Sequence, residues 1–408
     1  MKRITLSACL VLFLGVLGLA QDWAVINSGI PANINGVTYM DSLHLFCVGS
    51  NGSVYGSSDG GLTWSSAYTG TTPLNSITAI NENTAIAVGW NGVILRYNGT
   101  SWSTINSGTN NALFGVSFGT EQVGYACGED GIILKSTNAG LTWTTIRMQR
   151  GEWLSGLHAL DDVHVAAVSE FGTIFQTADG GLIWTTMLIP GAPWMGDVML
   201  TGPGTGWCCG TAGTLYYFTG TSLIPFDLGT SDGMLAMAFL SLQYDMWLAF
   251  MVGDNGSIFE FMFGDWTAVM SPTTQNLFAA AALLYYLGYD QSQVSDSAMA
   301  LYCAGGEDGT IVLNSQVVIG YRDPEPGQNS SFLYPVPSRI GVCFIRGEIP
   351  VDGIDVTVHD LTGKQVHAQT IRYALTPIDL RDLPDGLYLA RISKGNRIFT
   401  EKILIQRE

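Results

Sequence analysis

The sequence predicts an all-β protein, with a seven-bladed β-propeller followed by a small Ig-like β-sandwich. Three observations support this. Short apolar segments rich in Val, Ile, Tyr, Phe and Trp alternate with turn residues, and Gly occurs 50 times in 408 residues. A Gly-containing turn recurs about every 40 residues, the size of one four-stranded blade. The charge balance changes near residue 327, where the propeller is expected to have ended.

The repeated motif is a turn followed by an apolar triplet. Its seven copies are GSNGSVY (49–55), GWNGVIL (89–95), GEDGIIL (128–134), SEFGTIF (169–175), GTAGTLY (210–216), GDNGSIF (253–259) and GEDGTIV (306–312). Asn-Gly and Asp-Gly favour two-residue hairpin turns because both positions need positive φ. We expect this turn to join the second and third strands of a blade. The longer last interval holds a polar insertion near 291–297, predicted to be a loop.

A second turn follows in three blades, as SSDGGLTW (57–64), STNAGLTW (136–143) and TADGGLIW (177–184). A carboxylate at its third position can accept backbone N–H bonds across the turn, and the Trp can pack back onto the blade. The residues with this structural role are Asp59, Trp64, Asn138, Trp143, Asp179 and Trp184. The pattern resembles the Asp box of bacterial neuraminidase repeats. Residues 21–319 resemble the photosystem II stability/assembly factor-like propellers. This implies the fold, with the boxes away from a ligand face.

Ring closure is predicted from the N-terminal segment. Residues 23–29 read WAVINSG, and the fourth strand of the second blade begins WSTINSG at 102–108. The last blade lacks such a strand of its own. The segment that starts at Trp23 is therefore expected to complete the seventh blade and remove the exposed edges.

The N-terminus is typical of a signal peptide. Met1-Lys2-Arg3 precedes an apolar stretch that ends in a small-x-small site before Gln21, which predicts a signal peptide over 1–20. The apolar stretches 233–252 and 277–289 are in register with the repeat, so they are interpreted as core strands. No membrane span is expected after cleavage.

The C-terminal part is predicted to be a separate β-domain. A linker over 320–332 is followed by alternating apolar strands within 333–408. The segment resembles the type IX (Por) secretion C-terminal sorting domain through its Leu-Pro-Asp-Gly-Leu-Tyr turn (383–388) and Lys402-Ile403, although Val336 replaces an expected Asn. The resemblance implies recognition by the type IX machinery and a secreted or cell-surface location. An ordinary Ig-like accessory module is the alternative.

Charge excludes two classes of partner. The chain has a formal net charge of −17, and residues 21–327 carry 25 acidic and 5 basic residues. Nucleic acid and anionic membranes both attract basic surfaces, so neither is an expected partner. We expect a monomer that uses no cofactor.

Enzymatic signatures are sparse. A sialidase needs three arginines that converge from different blades, whereas the propeller offers Arg96, Arg147 and Arg150, of which the last two share one connection. The histidines and cysteines show no ligand spacing, so no metal site is predicted. Cys47 and Cys303 lie on blades that meet at closure, and a disulfide between them is conceivable.

Two groups of residues are candidate binding positions. Acidic residues in the repeated turns would form a rim at one mouth of the ring, suited to a cation, a basic ligand or, alternatively, hydrolysis of a glycan: Glu129, Glu170, Asp254 and Glu307. The second group lies in two successive connections between blades and could form an aromatic platform: Arg147, Arg150, Trp153 and Trp194. The alternative is that both tryptophans pack between blades.

The sequence therefore favours an exported, non-catalytic propeller that binds a protein or glycan partner on one face. A secreted glycan-active hydrolase is the first alternative. A role as an assembly or stability factor for a membrane complex is the second, and it rests only on the resemblance.

Overall fold

The computed structural model describes residues 23–147, 151–191, 193–220, 222–241, 247–262, 265–290, 295–319, 333–334, 342–345, 353–372, 378–394 and 397–405. Their regular structure is β-strand with short 3-10 turns, and no α-helix occurs among them. None of these residues belongs to a helix that could cross a membrane. The predicted signal peptide (1–20) and linker (320–332) lie outside this described set. The prediction of an all-β fold is confirmed.

Seven four-stranded antiparallel sheets form the blades. Blade 1 contains β2 (Ile34–Tyr39), β3 (Leu45–Gly49), β4 (Val54–Ser57) and β5 (Ser65–Tyr68). Blade 2 contains β6 (Leu74–Asn81), β7 (Thr84–Gly89), β8 (Ile94–Tyr97) and β9 (Trp102–Ile105). Blade 3 contains β10 (Leu113–Phe118), β11 (Gly124–Gly128), β12 (Ile133–Ser136) and β13 (Thr144–Arg147). Blade 4 contains β14 (Leu154–Ala159), β15 (Val165–Ser169), β16 (Thr173–Thr177) and β17 (Thr185–Leu188).

The later blades repeat this order. Blade 5 contains β18 (Met195–Gly202), β19 (Thr205–Gly210), β20 (Thr214–Thr219) and β21 (Ser222–Asp227). Blade 6 contains β22 (Met234–Ser241), β23 (Trp247–Gly253), β24 (Ile258–Met262) and β25 (Asp265–Val269). Blade 7 contains β26 (Leu277–Asp290), β27 (Ser295–Gly306), β28 (Ile311–Ile319) and, from the N-terminal segment, β1 (Ala24–Ile26).

Strand β1 closes the ring. It pairs antiparallel with β28, with Ala24 opposite Leu313 and Ile26 opposite Ile311. Trp23, directly before β1, is buried between blades 6 and 7. Gly29 and Gly108, at equivalent positions after β1 and β9, both have positive φ, at 66° and 75°. The two segments therefore continue with the same backbone turn.

The insertion in blade 7 differs from the predicted polar loop. Strands β26 and β27 have 14 and 12 residues, and their pairing continues to Asp290 opposite Ser295. Residues 295–297 are thus part of a strand, while 291–294 lie outside the described residues. The tyrosine-rich sequence of 285–290 has high β propensity, which lets the hairpin extend beyond the other blades.

The repeated turns mostly have the predicted geometry. Asn91, Asp130, Asn255 and Asp308 all have φ between 51° and 56°, and each precedes a Gly of positive φ. Asn51 is the exception, since its φ is not positive. Its side-chain Oδ1 accepts the Ser53 N–H at 3.0 Å. The turn type there does not follow from the Asn-Gly pair alone.

The core is divided among the interfaces between neighbouring blades. Each interface holds a buried apolar cluster, and the one between blades 7 and 1 includes Ile34, Cys47, Ala279 and Cys303. Both cysteines are free, so the conceivable disulfide between them is not formed. Burial raises the pKa of both thiols well above the ordinary value. They act as small core residues.

The C-terminal domain is built from two sheets. A three-stranded sheet contains β29 (Leu333–Tyr334), β30 (Val342–Ile345) and β33 (Ile378–Asp379). A four-stranded sheet has the order β32 (Gln365–Ile371), β31 (Ile354–His359), β34 (Gly386–Lys394) and β35 (Arg397–Ile405). Ile378 of the first sheet and Val356 of the second share one buried apolar cluster. This is the layering of a small sandwich.

Candidate functional site: the connection face and the channel

Strand register divides the propeller into two faces. In blade 3, the first residue of β10, Leu113, pairs with Gly128 at the end of β11, and Ile133 at the start of β12 pairs with Arg147 at the end of β13. The turn between the second and third strands therefore lies on the same side as the connection to the next blade. We call this side the connection face. The opposite side, with the Asp-box-like turns, is the box face.

The Asp-box-like turns are held together internally. Asp59 Oδ1 accepts hydrogen bonds from the Ser57 hydroxyl at 2.8 Å and the Thr63 N–H at 2.9 Å. Burial acts to raise the pKa of Asp59, but the hydrogen bonds from Thr63 and Ser57 hold it below its ordinary value. Asn138 accepts the Thr142 N–H, and Asp179 accepts the Leu182 and Ile183 N–H groups. These bonds give the turns a structural role.

Their tryptophans fold back onto the same turns. Trp64 and Trp143 donate their indole N–H to Gly61 O at 2.8 Å and Gly140 O at 3.2 Å. Trp184 packs against the buried cluster that contains Tyr125. The basic side chains of Arg96 and Lys135 also lie on the box face. They donate hydrogen bonds to Ala139 O and Gly180 O in the turns of the next blades.

The four predicted rim acids lie on the connection face, and each is bound within its own blade. Each carboxylate accepts the N–H of the residue directly before the innermost strand. The pairs are Glu129 with Ala112 at 3.1 Å, Glu170 with Trp153 at 3.2 Å, Asp254 with Gly233 at 3.1 Å, and Glu307 with Asn276 at 3.3 Å. A structural partner thus exists for every one of these acids, which the sequence did not reveal.

Three blades lack the acid at this turn position, and in blade 2 its backbone partner is missing as well. There the residue before the innermost strand is Pro73, which has no N–H to satisfy. The turn position that holds Glu129 in blade 3 is Trp90 in blade 2, and both residues donate their own N–H to the preceding connection, at Pro73 O and Ala112 O. In blades 1 and 5, Ser50 and Thr211 hold this position although the residue before the innermost strand has an N–H, so the carboxylate is an addition to the turn and not a requirement of it. Among the described residues, no group of three or more His, Cys, Asp or Glu could hold a metal ion.

Arg147 is engaged with the propeller itself. Its guanidinium donates to Gly131 O at 2.9 Å and lies 4.3 Å from the ring centroid of Phe175. Burial lowers its pKa, which Glu152 partly offsets. The predicted partner Arg150 lies outside the described residues. Arg147 therefore stabilises the blade 3 turn, and the other charged side chains in the described part of the connection face are carboxylates.

Exposed aromatic rings form an arc on the connection face. Trp153 and Trp194 are 41% and 39% exposed, so they do not pack fully between blades. Phe114 lies 5.6 Å from Trp153 and 6.1 Å from Trp90, measured between ring centroids. Trp90 is 43% exposed. We call Trp90, Phe114, Trp153 and Trp194 the aromatic arc; it spans blades 2 to 5.

The sequence argument missed Trp90 and Phe114. Trp90 occupies the acidic position of the repeated turn, which is the signal that could have identified it. Phe114 is the second residue of its innermost strand, where blades 1 and 2 have Asn35 and Asn75. Those asparagines instead donate to the next blade at Leu74 O and Leu113 O, both at 2.8 Å.

A channel runs along the innermost strands. Its cavity of about 570 Å³ is lined by residues of all seven blades, and both Phe114 and Trp194 contribute to its wall. The aromatic arc thus borders the mouth of the channel. A ligand on the arc would have direct access to the channel interior.

Polar side chains in the channel join neighbouring blades. Thr38 Oγ1 and His158 Nδ1 accept the N–H groups of Ala79 and Leu200 in the next blade, at 3.0 and 3.2 Å. Asp197 accepts the Val198 N–H at 2.8 Å and the Met237 N–H at 3.0 Å. Burial lowers the pKa of His158 to about 4. Burial raises the pKa of Asp197 to about 6 despite the two backbone hydrogen bonds.

The comparisons with known proteins bear first on the C-terminal domain. Residues 332–406 match the family described as "Secretion system C-terminal sorting domain". The protein is exported by type IX secretion. It is therefore destined for the cell surface or the outside, as the sequence predicted. No curated protein matches the sequence.

Solved propellers match the remainder of the chain. "YCF48 bound to D1 peptide" is 16% identical, with a TM-score of 0.56, and covers 72% of this chain and 96% of its own. "YCF48 from Cyanidioschyzon merolae" is 15% identical, with a TM-score of 0.54 and coverage of 72% and 99%. The WD40 repeats of RRP9 are 11% identical, with a TM-score of 0.57 and coverage of 73% and 99%. At these identities the likeness shows the propeller fold alone.

Proposed function

We propose that this exported propeller is a non-catalytic binding protein that holds an extended, basic segment of a partner protein on its connection face. The observation that carries the proposal is the aromatic arc, which exposes large rings around the channel mouth. Aromatic side chains of this kind supply large contact area at low entropic cost. A propeller of the same fold is described as bound to a peptide, which gives the binding mode a precedent.

Charge supports a basic partner. The connection face carries Glu129, Glu170, Asp254 and Glu307, and Arg147 is already hydrogen bonded to Gly131 O. Complementary charge increases the rate of association and suppresses wrong partners. Aromatic rings also stack on sugars, so a glycan remains the alternative ligand. The excess of carboxylates favours a cationic peptide over a neutral glycan.

The rim acids support binding over hydrolysis. A glycosidase needs two carboxyl groups that flank one glycosidic bond. Here each acid belongs to a different blade and accepts a backbone N–H of that blade. The role of assembly factor for a membrane complex requires peptide recognition as well, and it rests on the likeness to YCF48.

The test is peptide binding by the full chain and its variants. Fluorescence anisotropy would compare labelled lysine-rich, glutamate-rich and uncharged peptides, with neutral oligosaccharides as competitors. We expect the lysine-rich peptide to bind best and Trp153→Ala with Trp194→Ala to weaken it about tenfold or more. The control is Leu182→Ala, because Leu182 is 86% exposed on the box face. Unchanged affinity in the tryptophan variant, or preference for the glutamate-rich peptide or the oligosaccharide, would refute the proposal.

A further inference from the structure

Asp197 occupies a position that is small in every other blade. It pairs with Cys209 on the second strand of blade 5, two residues after the first residue of β18. The equivalent positions, by the same register, are Gly36, Ser76, Gly115, Gly156, Ala236 and Ala279. At this level of the channel one carboxylate thus stands in a column of small residues. Blade 4 approaches it closely, since a Cβ on Gly156 would lie 3.2 Å from Asp197 Oδ1, and Asp197 borders the cavity on its open side.

The charge of Asp197 is not balanced by any basic residue of the channel. Among the described residues that line the cavity, Asp197 is the carboxylate and none is Lys or Arg. The titratable neighbour on blade 4 is His158, whose Nδ1 accepts a backbone N–H, so its proton is on Nε2 and the ring is neutral. Burial and the charge of Asp197 raise the pKa of the Cys127 and Cys209 thiols, so both thiols are neutral. Near neutral pH the channel therefore has a single negative charge.

We propose that Asp197 anchors a primary ammonium group inside the channel, carried by a lysine side chain of a bound peptide or by a free alkylamine. The inference deepens the proposed function, and its peptide form rests on it. The cation reaches Asp197 past Phe114 and Trp194, which line the same cavity. Aromatic faces attract cations, so this route carries a favourable potential.

The hydrogen bonds of Asp197 orient its carboxylate and leave lone pairs for a cation. Oδ1 and Oδ2 each accept one backbone N–H, which fixes the orientation of the carboxylate and leaves about one lone pair on each oxygen for a cationic donor. An ammonium needs only one remaining lone pair and presents three rotatable donors. A metal ion would need further anionic ligands, which the described part of the channel does not supply.

The proton equilibrium of Asp197 gives a pH signature. Its pKa is raised to about 6, so the carboxyl is mostly ionised at pH 7.5 and mostly protonated at pH 5. The ammonium stays charged over this range. Binding of the ammonium should therefore weaken as the pH falls through 6.

The test measures binding of n-butylammonium to the full chain by ligand-observed NMR. We expect Asp197→Asn to weaken its binding roughly tenfold or more. The matched control is Glu82→Gln, at an exposed acid in the turn between β6 and β7 on the box face. Since Asp197→Asn also loses one acceptor for a backbone N–H, the pH series of the unchanged protein gives a second measurement. Affinity that is the same at pH 5 and pH 7.5, or equal in both variants, would overturn the inference.

A second arm separates the two sources of the ammonium and the two proposals. A lysine peptide and its norleucine counterpart, which lacks only the charge, would be compared on the unchanged protein and on Asp197→Asn. If the unchanged protein prefers the lysine peptide to the norleucine peptide and Asp197→Asn does not, the site binds a peptide side chain. If the unchanged protein binds n-butylammonium but shows no preference for the lysine peptide, the site binds free amines. If Trp153→Ala with Trp194→Ala abolishes peptide binding while Asp197→Asn changes nothing, the proposed function stands and the channel site fails.

Discussion

The hydrogen bond between Trp23 and Glu260 is expected to hold the ring closed. Trp23 is 4% exposed, its ring centroid lies 5.1 Å from that of Phe250, and its indole N–H donates to Glu260 Oε1 at 2.9 Å. Glu260 is itself 7% exposed, and Asn314 donates to the same oxygen at 3.4 Å. Replacing Trp23 by Phe keeps a ring beside Phe250 and removes the donor to a buried carboxylate.

The magnitude follows from these contacts. Loss of a hydrogen bond to a charged group lowers stability by about 1.5–3 kcal/mol. Trp23→Ala would add the lost packing, and buried Trp→Ala substitutions cost about 3–5 kcal/mol in total. We therefore expect Trp23→Phe to lower the free energy of unfolding by about 2 kcal/mol and Trp23→Ala by clearly more.

The chain contains a matched control for this substitution. Trp102 is the equivalent residue of blade 2, and its indole N–H has no hydrogen-bond partner among the described residues. Trp102→Phe should therefore lower the free energy of unfolding by less than Trp23→Phe does. Urea denaturation followed by far-UV circular dichroism would measure both. Hydrogen exchange at Ile311–Leu313, which pair with β1, would report closure locally. Equal losses for the two variants, with unchanged exchange, would refute the reasoning.

Three further predictions follow from the ring. His158 has an ordinary pKa of 6.5 and a pKa of about 4 in the fold, so protonation favours the unfolded state, and the contribution of this residue to stability should fall by up to about 3 kcal/mol as the pH drops from 6.5 to 4. Asp197, whose pKa is raised to about 6, contributes in the opposite direction over the lower part of this range, so the comparison is with His158→Thr, which copies Thr38: the unchanged protein should lose stability relative to this variant as the pH falls, and equal slopes would contradict the assignment. Gly309→Ala would place Cβ 2.0 Å from Ile30 O at a φ of 72°, whereas Gly108→Ala, at a φ of 75°, meets nothing within 4 Å. Thermal unfolding should show that the first variant loses several kcal/mol of stability and the second about 1 kcal/mol. Similar losses of stability in the two variants would argue against the close approach. Glu129→Ala should lower the free energy of unfolding by about 1–2 kcal/mol, because the Ala112 N–H loses its carboxylate partner. Glu82→Ala, at an exposed position, should leave stability nearly unchanged. Equal denaturation midpoints for the two variants would show that the carboxylate does not stabilise the connection.

The propeller was predictable because each blade repeats a local pattern. The turn at Asp130-Gly131 has positive φ at both residues, as Asp-Gly favours, and the recurrence of such turns defines the blades. The likeness of the segment at Trp23 to that at Trp102 predicted the fourth strand of blade 7. The extension of β26 and β27 was not predicted, because polar residues at the hairpin tip obscured the strand-forming sequence before it.

The candidate site was less predictable because it depends on contacts between segments. No structural partner for the Glu129 carboxylate was visible in the sequence, and only the fold reveals that it accepts the Ala112 N–H. Phe114 joins Trp153 through the register of two blades, which no local motif encodes. Asp197 could have been found by aligning the innermost strands, where it is the charged residue in a column of small ones.

Closure by β1 has a consequence for how the chain folds. The residues joined by the Trp23–Glu260 and Ser28–Gly309 hydrogen bonds are 237 and 281 positions apart. Entropy makes such distant contacts only modestly more costly at equilibrium, but they form late, since long-range strand pairing is slow. Until then β28 presents an unpaired edge that can recruit strands from other molecules. Strand β1, which is synthesised before the other strands of the propeller, is thus the last to be placed, and the nearly complete ring is the species most prone to aggregate.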